Sequence, residues 1–200
     1  MKLPKRFDNK ESDRIVITST DPETGEKTKR EIWDGRSNAL VGIVFAKTTS
    51  GTKVMITKRS ELMPNAPGKI CLPCGFLDWD ETLHQGMMRE VYEETSFNML
   101  DFEEYLVYNN DKKPIMILDD PLIKGQNISH IYISVFDFTD EMESFPSHIE
   151  DFKCDEVDWV EWLDIDMFFE RRYGIDWAYE HDEKISQGLI HWNNVFYNRD

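Results

Sequence analysis

The chain has 200 residues, 40% of them hydrophobic and six of them tryptophan, enough to bury the core of one domain. Its 39 acidic against 23 basic residues leave a formal charge of −16, which argues against a protein that neutralises nucleic-acid phosphates over a broad surface; a small phosphate compound stays open as a partner. No run approaches the roughly 20 apolar residues of a membrane span, no signal-peptide pattern opens the chain, and Cys71, Cys74 and Cys154 fit reduced thiols, so a cytoplasmic protein with no membrane partner is expected.

In chain order, "RIVITS" and "KTKREIW" flank "TDPETGE", where Asp, Pro and Gly each favour reversal, and an N-terminal β-hairpin is predicted within residues 1–37. "NALVGIVFAKT" is almost continuous in apolar and β-branched residues, as a strand covered on both faces would be, and "KVMITKR" follows across a short turn. The proline-containing loop "SELMPNAPGK" leads to "ICLPCGFL" and then to an acidic helix. "EEYLVYNN" and "PIMILDD" read as weaker strands, and "NISHIYISVFDF" as the strongest late one. "DEMESFPSHIEDFKCDE" is polar and proline-interrupted, the pattern of a mobile surface loop, before a last short strand at "VDWVEWL". Trp177, Ile185, Leu189 and Trp192 recur at spacings suited to one face of a packed C-terminal helix.

The acidic helix carries the chemistry. Thr82 and Gln85 have the form of a capping box, which starts the helix at Thr82 and leaves Glu81 just outside its first turn. At about 100° per residue, Glu90, Glu93 and Glu94 share one face, with Met88 and Val91 a quarter-turn or more away. Like charges at these spacings destabilise a bare helix by about 0.2–0.5 kcal/mol per pair and raise one another's pKa, so a positive partner is expected. Mg²⁺ or Mn²⁺ suits the role best, because carboxylate oxygens are the ligands such hard cations prefer. Arg89, beside Glu90 and four residues before Glu93, is placed to hold a carboxylate through its bidentate guanidinium. Gly86 leaves its face bare for close approach of a ligand or backbone.

This stretch resembles the Nudix hydrolase family, whose box runs Gly, five residues, Glu, seven residues, Arg-Glu, an apolar residue, any residue, Glu-Glu, any residue, Gly, apolar. The matching positions are Gly75, Glu81, Arg89, Glu90, Val91, Glu93, Glu94 and Phe97, with Ser96 in place of the final glycine. "VMITKR", "LPCGFLD", where Cys74 replaces a usual glycine, and "EVDWVEWL" extend the resemblance over roughly residues 38–165. It implies an α/β fold, a Nudix-type α/β/α sandwich with a mixed central sheet, here with an N-terminal β-hairpin and a C-terminal helical segment over residues 166–200, all one domain. It also implies hydrolysis of the pyrophosphate bond of a nucleoside diphosphate linked to another moiety (ADP-ribose, dinucleotide or nucleoside triphosphate type) by metal-activated water, with Mg²⁺ or Mn²⁺ as cofactor. Glu90 and Glu94 are then direct metal ligands, Glu93 a ligand or base, and Arg89 the group that orients Glu90 or Glu93. Glu81 would act through water or structure. A further acid from a later loop is Glu156 or Glu150, and Arg59 and Gly75 are the candidates for meeting substrate.

Two other readings belong beside this one. A non-catalytic Nudix-fold module that senses or binds a nucleotide would favour loss of a metal-binding glutamate, and none is lost. A zinc site of Cys71, Cys74, Cys154 and His148 lacks the spacing of common zinc modules, so buried thiols are expected. Trp33, Trp79 and Tyr132 are read as core or rim packing, His84 and His130 as core or surface groups. A small-molecule nucleotide is the expected partner, and a homodimer is compatible with the sequence.

Overall fold

The computed structural model describes residues 14–20, 24–33, 35–120, 127–149 and 154–197. Two units divide the chain, Met1–Ser37 and Asn38–Asp200. In the first, strands β1 (Arg14–Thr20) and β2 (Lys27–Trp33) pair antiparallel in a register that runs from Arg14 opposite Trp33 to Thr20 opposite Lys27, which is the expected hairpin.

The second unit is built on a mixed sheet flanked by helices. Its strands are β3 (Ser37–Thr48), β4 (Gly51–Arg59), β5 (Ile70–Cys71), β6 (Cys74–Phe76), β7 (Leu106–Tyr108), β8 (Met116–Leu118), β9 (Asn127–Asp137) and β10 (Val157–Asp164). The central path runs β10-β4-β3-β9-β7, and β5, β6 and β8 pair with β4, β3 and β9. The apolar run of β3 is covered on both faces, as its composition requires. Leu40, Val44 and Ala46 face one core with Met87 and Val91 of helix α1 (Leu83–Thr95), and Val41, Ile43 and Phe45 face the other with Ile185 and Leu189 of helix α3 (His181–Tyr197). A short helix α2 (Ile165–Arg171) follows β10 directly.

Close approach sets both layers. A Cβ on Gly42 would lie 2.7 Å from Val91 Cγ2, and one on Gly188 would lie 2.9 Å from Ile43 Cδ1, so each helix rests on the sheet where a side chain is missing. Among the described residues, no helix is long and apolar enough to cross a membrane.

Two readings of the sequence need correction. Trp177 precedes α3 and forms a parallel bridge with Ile70; the backbone bonds Ile70 N–H to Asp176 O and Ala178 N–H to Ile70 O, so it belongs to the sheet edge and not to the helical face. Over residues 140–149 the segment after β9 is anchored, residues 150–153 of the expected loop lying outside the described residues: Phe145 is buried against Phe138 and Trp162, and Trp162 Nε1–H donates to Pro146 O, because an aromatic in a polar run found an aromatic pocket. On α1, Met88 packs against the edge of the core as its helical phase implies, and Met87 is the fully buried methionine.

Helix α1 begins and ends as its sequence dictates. Thr82 caps it with both arms of the capping box formed, and Ser96 closes it in the left-handed conformation at φ 56°, its N–H bonded to Tyr92 O. Ser96→Gly removes the strain of a side chain there, and we expect a gain of up to about 1 kcal/mol in urea unfolding with turnover unchanged. Gly42→Ala forces a methyl into Val91; a loss of about 1–3 kcal/mol is expected in the same experiment, since α1 must lift from the sheet.

Candidate active site

The site forms where α1 crosses β6. A Cβ on Gly75 would lie 2.1 Å from Glu90 Oε2, so the glycine is what lets this carboxylate lie over the strand's backbone. From the loop that follows, Glu81 turns back towards the helix. Its carboxylate accepts Arg89 Nε–H at 3.0 Å and Nη2–H at 2.7 Å, and Asp78 N–H at 2.9 Å. The same guanidinium donates from Nη1 to Glu90 Oε1 and Glu93 Oε2, both at 2.8 Å, and from Nη2 to Phe76 O at 2.8 Å. One arginine thus joins three box glutamates and the strand entering the box.

Glu81, paired with Arg89, has its pKa held below the usual carboxylate range, and Arg89 is pushed further up by Glu81 first and then by Glu90. Glu94 is only 3% exposed and accepts Cys74 N–H at 3.0 Å. Burial drives its pKa well above the usual value, with the Cys71 thiol adding to the shift and the Cys74 N–H opposing it. Burial also raises Glu90, against the pull of Arg89. Side-chain exposure rises from 13% at Glu90 to 54% at Glu93, so the acidic face is graded from buried to open.

These groups line a cleft of about 960 Å³. One wall is α1, with Arg89, Glu90, Glu93 and Glu94, and Tyr92 and Ser96 at its edge; the other is Cys154, Asp155 and Glu156, ahead of β10. Ser60 N–H bonds Glu156 O at 2.8 Å and so ties that wall to the end of β4. Among the lining residues Arg89 is the one cation facing five carboxylates, all of them oxygen donors. That donor set fits a hard divalent cation, with Glu90, Glu93 and Glu94 as the residues that would hold it.

The structure therefore brings together Arg89, Glu90, Glu93, Glu94 and Glu156, with Gly75 beneath Glu90. Glu150 lies outside the described residues. Arg59 does not line the cleft. It is 6% exposed, with Nε–H donating to Asn65 O and its guanidinium over the Tyr179 ring, so it is not a solvated surface arginine. At Gly86 the space is taken by neither ligand nor backbone: a Cβ there would lie 2.5 Å from both Glu81 Oε1 and Leu40 Cδ1. The Glu81–Arg89 pair and Asp155 escaped the sequence reading. Helical spacing relates residues within α1 only, but Gly86 between Glu81 and Arg89 was a usable signal, since its bare face is what admits the Glu81 carboxylate. His148 does not complete a cluster with the cysteines.

A NUDIX domain model matches residues 37–180. The chain belongs to the Nudix family. Nudix hydrolase 3 of Caenorhabditis elegans is 26% identical to it over 96 residues, which is 47% of this chain and 40% of that protein, so the chain spans less than half of that relative's length. Among solved structures, a bifunctional NMN adenylyltransferase/ADP ribose pyrophosphatase from Francisella tularensis, complexed with AMP and a Mn ion, superposes with a TM-score of 0.59 at 21% identity, over 80% of this chain and 42% of that one. The NUDIX domain of Shewanella oneidensis NrtR complexed with ADP ribose gives 0.59 at 17% identity, over 80% and 90%. These superpositions show a shared fold.

The burial of Glu94 sets a pH dependence for the metal-free Nudix site. Its folded-state pKa lies above its unfolded value, so the neutral form stabilises the fold below about pH 4.5, and that contribution is lost as pH rises through the folded-state pKa. Glu94→Gln stays neutral and keeps an acceptor for Cys74 N–H. In chelator, urea unfolding of the two proteins is expected to agree near pH 4.5 and to favour the variant at neutral pH. A variant less stable at neutral pH contradicts this.

Proposed function

We propose that this protein is a metal-dependent Nudix pyrophosphohydrolase that cleaves a nucleoside diphosphate linked to another moiety. The observation that carries the reading is one cleft holding Glu90, Glu93 and Glu94 on α1, opposite Glu156, with Arg89 tied to Glu81, Glu90 and Glu93. Mg²⁺ or Mn²⁺, when bound, supplies positive charge for the pyrophosphate and lowers the pKa of a bound water. Glu90 and Glu94 hold the cation and Glu93 is a third ligand or the base. Glu93 is the most open of the three, and Glu156 faces the helix from the other wall, so either is placed to take a proton from water.

Arg89 acts as a positioning residue, since its donors are spent on carboxylates and on Phe76 O. Gly75 serves the site by letting the Glu90 carboxylate lie against the backbone of β6, the space a side chain would fill. Arg59 serves the site through its charge, which opposes the upward shift at Glu94. The likeness in fold to part of a bifunctional NMN adenylyltransferase/ADP ribose pyrophosphatase and to a domain complexed with ADP ribose supports ADP-ribose as the first substrate to try.

With Mg²⁺ and ADP-ribose, release of AMP and ribose 5-phosphate is expected, and excess chelator should abolish it. Glu93→Gln should lower turnover by about a hundredfold or more while the thermal midpoint holds. Mg²⁺ should raise the wild-type midpoint through preferential binding to the folded state. Tight binding of ADP-ribose with no product in either metal would instead support a nucleotide-sensing module.

A further inference from the structure

Behind Glu94, two thiols face each other across a short turn. Strands β3 and β4 pair from Thr48 opposite Gly51 to Phe45 opposite Val54 and then part, β3 pairing on with β6 and β4 with β5. Leu72 and Pro73 join those two short strands, with Cys71 at the end of β5 and Cys74 at the start of β6. The two sulfurs lie within 4.8 Å of each other, and both cysteines are free. Cys71 is fully buried, whereas Cys74 is partly exposed.

The turn is pinned at both of its residues. Leu72 N–H donates to His181 Nδ1 at 2.8 Å, and Gly42 N–H donates to Pro73 O at 3.0 Å. Cys71 pairs with Thr57 of β4, whose hydroxyl stands 3.1 Å from Cys71 Sγ and can turn its hydrogen to the sulfur as the thiol proton leaves. The backbone therefore keeps the thiols together, and each meets the other at a high effective concentration. Cys74 is also the residue whose N–H holds Glu94 at 3.0 Å.

We propose that Cys71 and Cys74 are a modification site, closed to a reversible disulfide by exchange with a low-molecular-weight organic disulfide, and that closure loosens the hold on Glu94. Cys74, the exposed partner, attacks one sulfur of the organic disulfide as a thiolate; a mixed disulfide forms and the other half leaves as a thiolate that takes up the Cys74 proton. Cys71 then attacks Cys74 Sγ and expels the second half, which takes up the Cys71 proton. Two cysteine thiols are oxidised and one organic disulfide is reduced to two thiols. To bond, the sulfurs must come to about 2.05 Å. With Cys71 buried in its pairing to Thr57 and the turn pinned by His181 and Gly42, the movement falls on Cys74, and so on the N–H beneath Glu94. This effect on the cleft rests on the reading of Glu94 as a metal ligand; the disulfide itself does not.

The test equilibrates the reduced, folded, full-length protein with glutathione disulfide in chelator. Titratable thiols are expected to fall from three to one, with a peptide map joining Cys71 to Cys74, no glutathione retained, and all three thiols restored by dithiothreitol. Cys154→Ser should still close the bond, and Cys71→Ser should stop with one glutathione on Cys74. Three persistent thiols in the wild type, a lasting glutathione adduct on Cys74 or a bond to Cys154 overturns the proposal, and this arm is decisive even where a variant fails to fold. Mn²⁺ titration after removal of chelator reads the second part: the oxidised protein should bind about tenfold more weakly than the reduced one, the usual cost of losing a group that orients a ligand, and reduction should restore it. Equal affinity in the two forms overturns the coupling to Glu94. Mn²⁺ binding to neither form counts against the metal reading of the cleft and the coupling with it, while the thiol count still decides the disulfide.

Discussion

The site depends on the Arg89 guanidinium. Three glutamates within five residues of one helix repel one another, and a fourth, Glu81, lies just ahead of it. Arg89 takes Glu81 as a two-pronged partner and gives one further nitrogen to Glu90 and Glu93 together. Its last contact, with Phe76 O, fixes helix α1 to the strand that precedes it. The repulsion is thereby turned into position: the carboxylates are held in one orientation before any cation arrives, and the remaining negative charge faces the cleft.

The packing below is arranged to the same end. Gly42 lets α1 settle on β3 through Val91, and Gly75 lets Glu90 settle over β6. With α1 so close to the sheet, Glu94 is driven into the interior, where Cys74 N–H meets it. Burial disfavours its charged form, and under the proposed function a divalent cation would reverse this, which would link metal affinity to the cost of burying a carboxylate at one residue. The opposite wall reaches the cleft because β10 pairs with β4 and Ser60 N–H holds Glu156 O.

Much of this was legible in the sequence. The apolar run over β3 announced a strand covered on both faces, the segments of β4 and β9 read as strands, and Thr82 with Gln85 announced the start of α1. Ser96, which stands where the family's box ends in glycine, closes α1 in the left-handed conformation that glycine favours. What escaped was set by tertiary distance. Helical phase puts Glu94 with Glu90 and Glu93 but says nothing of depth, so the burial of one and the openness of another came only with the sheet. Trp177 bridges to Ile70 although its spacing suggested a helical face. Phe145 sat in a polar run whose composition hid its anchoring partners, Phe138 and Trp162.

The central claim is that Glu90, Glu93 and Glu94 together hold a hard divalent cation under the control of Arg89. Anomalous diffraction from crystals equilibrated with Mn²⁺ tests it most directly. A peak in the cleft within bonding distance of carboxylate oxygens of Glu90 and Glu94, with Arg89 still on Glu81, is the result predicted. An ordered cleft with no peak beside these glutamates, at Mn²⁺ concentrations that support turnover in family members, would contradict it.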